Sequence, residues 1–136
     1  MADKFNKETR SKIMAAIRSI NTSPERTVFR DLRKRGTYFQ RHYKRVLGTP
    51  DIAIPSRKIA VFIDGDFWHG FRYPAWKGRL KNSFWRKKIE RNRKRDKLYH
   101  GKLRKMGWKV LRVWEHQLKN DFGKTIDKIN FFLDQQ

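Results

Sequence analysis

The sequence predicts an α/β domain in which a mixed β-sheet lies between layers of helices. Three observations carry that expectation. Two β-branched runs, DIAI and KIAVFID, flank a Pro-Ser-Arg-Lys turn, as neighbouring strands of a hairpin do. A four-three alternation from Trp85 through Ile89, Asn92, Asp96, Tyr99 and Leu103 to Met106 draws one unbroken helical stripe. A further strand pattern, WKVLRVWE, follows that helix after Gly107. Helices and strands in this order bury a sheet between helical layers.

Each element has its own signal. Ile13, Met14, Ile17 and Ile20 share one helical face, which predicts a short amphipathic helix over 9–20 within an N-terminal arm, residues 1–21. In NTSPERTVFRDLRKRG, Thr22 and Glu25 have capping-box spacing, Pro24 suits a first turn and Gly36 a stop. A helix over 23–35 follows, with Val28, Phe29 and Leu32 inward. Residues 38–47 read as an extended edge segment, and 51–54 and 58–64 as the two strands of the hairpin. From Gly70 to Asn82 the Gly, Pro and Lys content marks a loop. One long helix over Ser83–Met106 stops at Gly107, a strand covers 108–115, and a last helix near 124–133 offers Ile126, Ile129 and Phe132 to the core. A chain of 136 residues suits one domain with one modest core, so 1–136 reads as a single unit.

Charge narrows the partner. Lys and Arg number 35 against 13 Asp and Glu, a formal charge of +22, which spreads a positive field over the surface. A polyanion should bind, and nucleic acid fits best. Membrane is set aside, because no apolar run approaches the roughly 20 residues of a spanning helix and the cations are dispersed. With no cysteine, disulfides and thiolate-bound zinc or iron–sulfur centres are excluded. The opening MADKFNKETR has no apolar signal-peptide core, which gives the expectation of a cytoplasmic, nucleoid-associated protein. Aromatic content of 14% with five tryptophans belongs to a folded chain, not a basic tail.

The stretch VFIDGDFWHG, Val61 to Gly70, concentrates the chemistry. Asp51 begins one strand and Asp64 ends the next, so an antiparallel hairpin brings the two carboxylates together. Such a pair can hold Mg²⁺ against DNA phosphates. Ordinary turn chemistry accounts for the same residues, since Asp after Pro and Asp before Gly are common in loops. His69 has the pKa range of a general base near neutral pH, or is a surface hydrogen-bonding residue. Phe67 and Trp68 form either a packed cluster under the loop or a wedge between base steps, and Trp85 across the loop could join them. Glu25 is a helix cap or a carboxylate for a metal-bound water. Asn92 and Asp96 occupy stripe positions that packing would leave apolar, so they should face something polar and could support His69 or a phosphate-side water. The surrounding run RKKIERNRKRDK is a basic face suited to phosphates.

Taken together and in order, TRSKIMAAI, TSPE, TPD, VFIDGDFWHG, FWRKKIERNRKRD and GWKVLRVWEH resemble the very-short-patch-repair endonucleases. The resemblance implies the restriction-endonuclease-like fold and Mg²⁺-dependent nicking of duplex DNA beside a T·G mismatch, with Mn²⁺ able to substitute. It implies that Asp51 is the principal metal ligand with the Ile63 backbone carbonyl, that His69 activates water, and that Glu25 holds a water on the ion. Asp64 falls at an adjacent position that alternates between acid and histidine, and is placed among the metal ligands. Phe67, Trp68 and Trp85 would intercalate, Met14 would enter from the other groove, and Asn92 and Asp96 match the family's RN and RD pattern. A monomer with contacts to repair proteins is expected. Relatives carry a structural zinc at the loop. Here Asp66 replaces its first cysteine and HGFRYPAWKG has no second histidine, so zinc is not expected and the loop must be held by Phe71, Tyr73, Trp76 and Trp114 or by an Asp66–His116 contact. Two other classes stay open: a nuclease of the same fold with homing or modification-linked specificity, and a non-catalytic basic DNA-binding module.

Overall fold

In the computed structural model, the described residues are 23–66, 69–80 and 82–135. The expected helix over 9–20, Met14, the cap residue Thr22, and Phe67 and Trp68 lie outside them. The first described helix, α1, is Ser23–Lys34, and its spacing of Val28, Phe29 and Leu32 turns those side chains into the core, none more than 2% exposed.

Strands β1 (Gln40–Arg41), β2 (Ile52–Ile54), β3 (Ile59–Asp64) and β4 (Lys109–Trp114) form one sheet in the order β1-β2-β3-β4. The first two pairings are antiparallel and β3–β4 is parallel, with Ile52 opposite Val61 and Asp64 opposite Trp114. β2 and β3 make the expected hairpin through a 3₁₀ turn, Pro55–Arg57. The sheet is mixed because the β3-to-β4 connection is long enough to cross over, whereas the hairpin is not. Residues 38–47 supply only a two-residue edge strand.

Side-chain alternation along β3 divides its residues between two cores. Ile59, Val61 and Ile63 pack with α1 and the C-terminal helices, while Ala60 and Phe62 pack with Leu103 and Trp108. Both faces are thus covered, which is why every residue of β3 is buried. This is the restriction-endonuclease-like architecture, a mixed sheet flanked by helices.

Three boundaries depart from the sequence pattern. The segment 70–82, expected as loop, contains a short helix α2 (Tyr73–Trp76) and a 3₁₀ turn (Lys77–Arg79), because Pro74 starts a helical turn as readily as it breaks one and Tyr73 is drawn into a cluster with Leu80, Trp85 and Ile89. The long helix α3 runs Ser83–Lys105. Gly107 at φ +90° turns the chain there, so Met106 leaves the expected stripe and is 54% exposed. Beyond β4, helix α4 (Glu115–Asn120) was hidden in the sequence because only Leu118 of its six residues is buried. Asp121 then caps α5 (Phe122–Leu133), accepting from the Lys124 N–H at 3.1 Å. Ile126, Ile129 and Leu133 are buried there, and Phe132 packs against them half-buried.

Candidate active site

The hairpin and α1 converge at Asp51. Its Oδ2 accepts the Ile63 backbone N–H at 2.6 Å, so the carboxylate is pinned against the end of β3. Glu25, in the first turn of α1, is buried, and its Oε2 lies 3.1 Å from His42 Nε2. The same Nε2 is 4.0 Å from Asp51 Oδ1. Burial, then the charge and hydrogen bond of Glu25, push the Asp51 carboxyl well above the usual carboxylate range, and the Ile63 N–H only partly opposes them. Two carboxylates that share a buried site in this way, beside an imidazole, are a donor set that a divalent cation stabilises. Ligand atoms of Glu25, His42 and Asp51 lie within 4.8 Å of one another.

A second constellation sits on the α3 side of the sheet. Asp64 closes β3, Arg112 lies on the neighbouring strand with its side chain on the same face, and α3 brings Asp96 across. Arg112 Nε donates to Asp64 Oδ2 at 2.7 Å, and its Nη2 donates to Asp96 Oδ2 at 2.8 Å. His69 is held between the same acids, Nδ1 at 2.6 Å from Asp96 Oδ2 and Nε2 at 3.5 Å from Asp64 Oδ1. Burial disfavours the charged form of Asp96, but the hydrogen bond to His69 and the charges of His69, Arg112 and Arg95 outweigh it and lower its pKa. An imidazole whose Nδ1 is fixed by a carboxylate has one defined tautomer and one nitrogen left for proton transfer.

A profile of the family described as DNA mismatch endonuclease Vsr matches residues 2–74. The Type II nicking enzyme V.XorIIP of Xanthomonas oryzae pv. oryzae is 39% identical, over 98% of this chain and 98% of its own. V.NmeAIP of Neisseria meningitidis, also a Type II nicking enzyme, is 40% identical over 88% of this chain and 86% of its own. The DNA mismatch endonuclease Vsr of Escherichia coli is 35% identical over 88% and 77%. The chain belongs to the Vsr family.

As a Vsr-family endonuclease it distributes the expected site residues over two groups. Glu25 and Asp51 fall in one; Asp64, His69 and Asp96 fall in the other. Asp64 was expected beside Asp51 among the metal ligands. The two are close enough for the Asp64 charge to act on Asp51, yet Asp64's own oxygens face Arg112 and His69. Its nearest positive charge is therefore a guanidinium. Asn92 is half-buried on α3, one turn before Asp96. Trp85, expected in the wedge, is 7% exposed and clusters with Tyr73, Leu80 and Ile89, whose stripe it shares; its neighbour Phe84 is 56% exposed.

The loop of this Vsr-family chain is held without cysteine. Asp66 Oδ1 lies 2.8 Å from His116 Nδ1 and also faces the His116 backbone N–H at 3.5 Å. Phe71 packs on both Trp114 and His116, centroids 5.0 and 4.3 Å apart. Trp76 Nε1 donates to the Phe71 carbonyl at 2.8 Å. Gly70, next to His69, takes φ +69°, and a Cβ there would lie 2.7 Å from Arg93 Cδ, so only glycine lets the loop approach α3 this closely.

Sequence reasoning missed His42 and Arg112. His42 falls in an ambiguous stretch and its partners lie on other elements. Arg112 carried no signal of its own in WKVLRVWE, although strand parity places it on the face of Asp64 once β3 and β4 are paired in this register.

Proposed function

We propose that this Vsr-family protein nicks duplex DNA beside a T·G mismatch by hydrolysing one phosphodiester, with Mg²⁺ as the natural cation and Mn²⁺ able to replace it. The observation that carries the reading is the pair of adjoining constellations: a carboxylate pair at Asp51 and Glu25, and an imidazole oriented by Asp96. Asp51, Glu25 and the Ile63 carbonyl would hold the cation. The carbonyl belongs to this set because the N–H and C=O of one strand residue point to the same side, and the Ile63 N–H already meets Asp51. A divalent cation bound there polarises a phosphoryl oxygen and stabilises the charge that develops on it.

The chain's own residues do the rest. Asp96 holds the proton-bearing Nδ1 of His69, leaving Nε2 to take a proton from water as its oxygen bonds to phosphorus and the ester oxygen departs. Arg112, bonded to both Asp64 and Asp96, fixes the two acids that flank the ring. Phe67 and Trp68 supply the wedge, which a mispair lowers in cost because it is easier to unstack than a matched pair. Met14 would enter from the opposite groove.

Backbone phosphates have a place to lie. A groove of about 490 Å³ between α1 and β1 is lined by Arg26, Arg30, Arg33, Lys34 and Arg41 around Phe29. It adjoins the site, since Arg26 follows Glu25 and Arg41 precedes His42. No helix among the described residues is long and apolar enough to cross a membrane. The reading includes double-stranded DNA as the partner of a monomer working at the nucleoid in the cytoplasm.

The test is a panel of end-labelled duplexes, one per mispair, incubated with Mg²⁺. Nicking restricted to T·G duplexes is the expected result. Equal nicking of paired and mispaired DNA would favour a same-fold nuclease of other specificity, and no cleavage at all would favour a binding module.

A further inference from the structure

We infer that His42 Nε2 is a direct nitrogen ligand of the divalent cation, beside Glu25 and Asp51, so that this chain's centre binds Mn²⁺ with higher affinity than Mg²⁺, the natural cation of the reading above. The inference rests on the reading that Asp51 and Glu25 hold a metal, and it adds a ligand that no sequence motif marked.

Three restraints deliver the imidazole. The residue follows the edge strand β1 with φ +47°, a left-handed conformation that non-glycine residues seldom adopt. Its backbone N–H donates to the Asp51 carbonyl at 3.0 Å, which ties it to the residue that carries the central carboxylate. Its ring stands edge-on to Phe29, centroids 5.6 Å apart and planes at 81°, so α1 limits its rotation from the other side. The ring is left with its Nε2 directed at the two acids.

The spacing suits coordination. Around a six-coordinate ion with bonds of about 2.1 Å, adjacent donor atoms lie about 3 Å apart and opposite ones about 4.2 Å. Nε2 is 3.1 Å from Glu25 Oε2 and 4.0 Å from Asp51 Oδ1. A hydrogen bond alone would account for the first separation, but it gives no reason for Nε2 to stand over Asp51 as well. The donors also come from three separate elements, α1, the end of β1 and the start of β2, which is how a fold encloses an ion rather than caps a helix.

Donor chemistry then sets the preference. Mg²⁺ and Mn²⁺ both favour oxygen donors, but Mn²⁺, as a first-row transition ion, accepts an imidazole nitrogen more readily than Mg²⁺ does. A centre of two carboxylates and one imidazole should bind Mn²⁺ more tightly than Mg²⁺.

Pulsed electron paramagnetic resonance on the full chain with MnCl₂ alone reads the ligand directly. The expected result is ¹⁴N modulation from one imidazole, converted to the ¹⁵N pattern by histidine labelling, abolished in His42→Gln and retained in His69→Gln. Mn²⁺ affinity should fall about tenfold in His42→Gln. Bound Mn²⁺ without nitrogen modulation in the wild type overturns the assignment whatever the variants do, as does modulation that persists in His42→Gln. Either result leaves the carboxylate centre standing if Asp51→Asn releases the ion. Failure of the wild type to bind Mn²⁺ at all overturns this inference together with the metal centre itself.

Discussion

Arg112 Nε donates to Asp64 Oδ2 at 2.7 Å, and the same guanidinium reaches Asp96, the carboxylate that holds His69. One planar cation thus spaces two acids around an imidazole, and it is itself steadied by the Trp114 ring, 4.2 Å from its carbon. Neither acid can turn away from His69 without breaking a charge-assisted hydrogen bond. The arrangement also neutralises carboxylates that would otherwise repel an arriving phosphate.

Arg112→Met should therefore slow nicking by about 10- to 100-fold through misplacement of His69. Lysine is no substitute, since a single ammonium cannot span Asp64 and Asp96 in one plane, and Arg112→Lys should recover less than half of the lost rate on a logarithmic scale. Stability should fall by less than the about 3–5 kcal/mol of a fully enclosed pair, because the arginine side chain keeps 24% exposure. Single-turnover nicking and thermal melting check both statements. An unchanged rate in Arg112→Met would remove Arg112 from the site.

Asp51 is expected to act against stability where it serves function. Burial and the neighbouring Glu25 raise its folded pKa well above the unfolded value, so the native state binds the proton more tightly and loses stability as pH rises through that range. At neutral pH Asp51→Asn removes the penalty and can still accept from the Ile63 N–H. The metal-free variant should melt a few degrees higher, roughly what about 1 kcal/mol produces in a domain of this size, while nicking disappears and DNA affinity is kept or strengthened. A lower melting temperature in metal-free buffer would contradict this.

How far the sequence spoke depended on range. The hairpin and the long helix were legible because their periods are local: alternation over DIAI and KIAVFID, and the unbroken stripe from Trp85 to Leu103. Asp51, Asp64 and His69 were visible because strand ends collect them within a few residues. What stayed hidden was decided by contacts across elements. His100, which no sequence signal singled out, is buried on Phe62, ring centroids 4.4 Å apart. Trp85 carries a wedge's chemistry and a core residue's spacing, and its cluster with Tyr73, Leu80 and Ile89 appears only once α2 and α3 are placed together. His42 needed α1, β1 and β2 in place before its neighbours could be named.

His100 gives the fold an acid-side weakness. Burial, then Arg112, lower its pKa below the ordinary histidine value, against weaker opposing pulls from Asp64 and Asp96. The unfolded chain therefore binds this proton first on acidification. Stability is fully present above the unfolded pKa of about 6.5, and falls as pH drops from there through the folded value, by at most about 1.4 kcal/mol per pH unit. His100→Phe keeps the stacking on Phe62 without the proton. Its melting temperature should vary less between pH 5 and 7 than that of the parent, and parallel curves would exclude His100 as the cause.

The Asp66–His116 contact ties the loop after β3 to the helix after β4 at 2.8 Å, with both side chains about one-third exposed. A pair that exposed contributes little to global stability. Its effect should be local, on where the aromatic segment after Asp66 is presented to DNA. His116→Ala should reduce discrimination between T·G and paired duplexes several-fold while the melting temperature changes by no more than about 2 °C. Loss of all nicking together with discrimination would show instead that the clasp supports the His69 site.

The basic groove between α1 and β1 makes the last prediction quantitative. Arg26, Arg30 and Arg33 recur on one face of α1, and Arg41 reaches the groove from β1, its guanidinium 5.7 Å from the Phe29 ring. If each cation neutralises one phosphate, releasing its counterion, the slope of log affinity against log salt changes by about 0.9 per contact. Arg30→Ala with Arg33→Ala should flatten that slope by about 1.8 and weaken matched and mismatched duplexes alike, because phosphate contacts position a protein without reading bases. The turnover number at saturating DNA should hold, since both residues lie at least one turn along α1 from Glu25. Affinity titrations at several salt concentrations decide it, and a slope unchanged from the parent would mean that DNA leaves the site by another face.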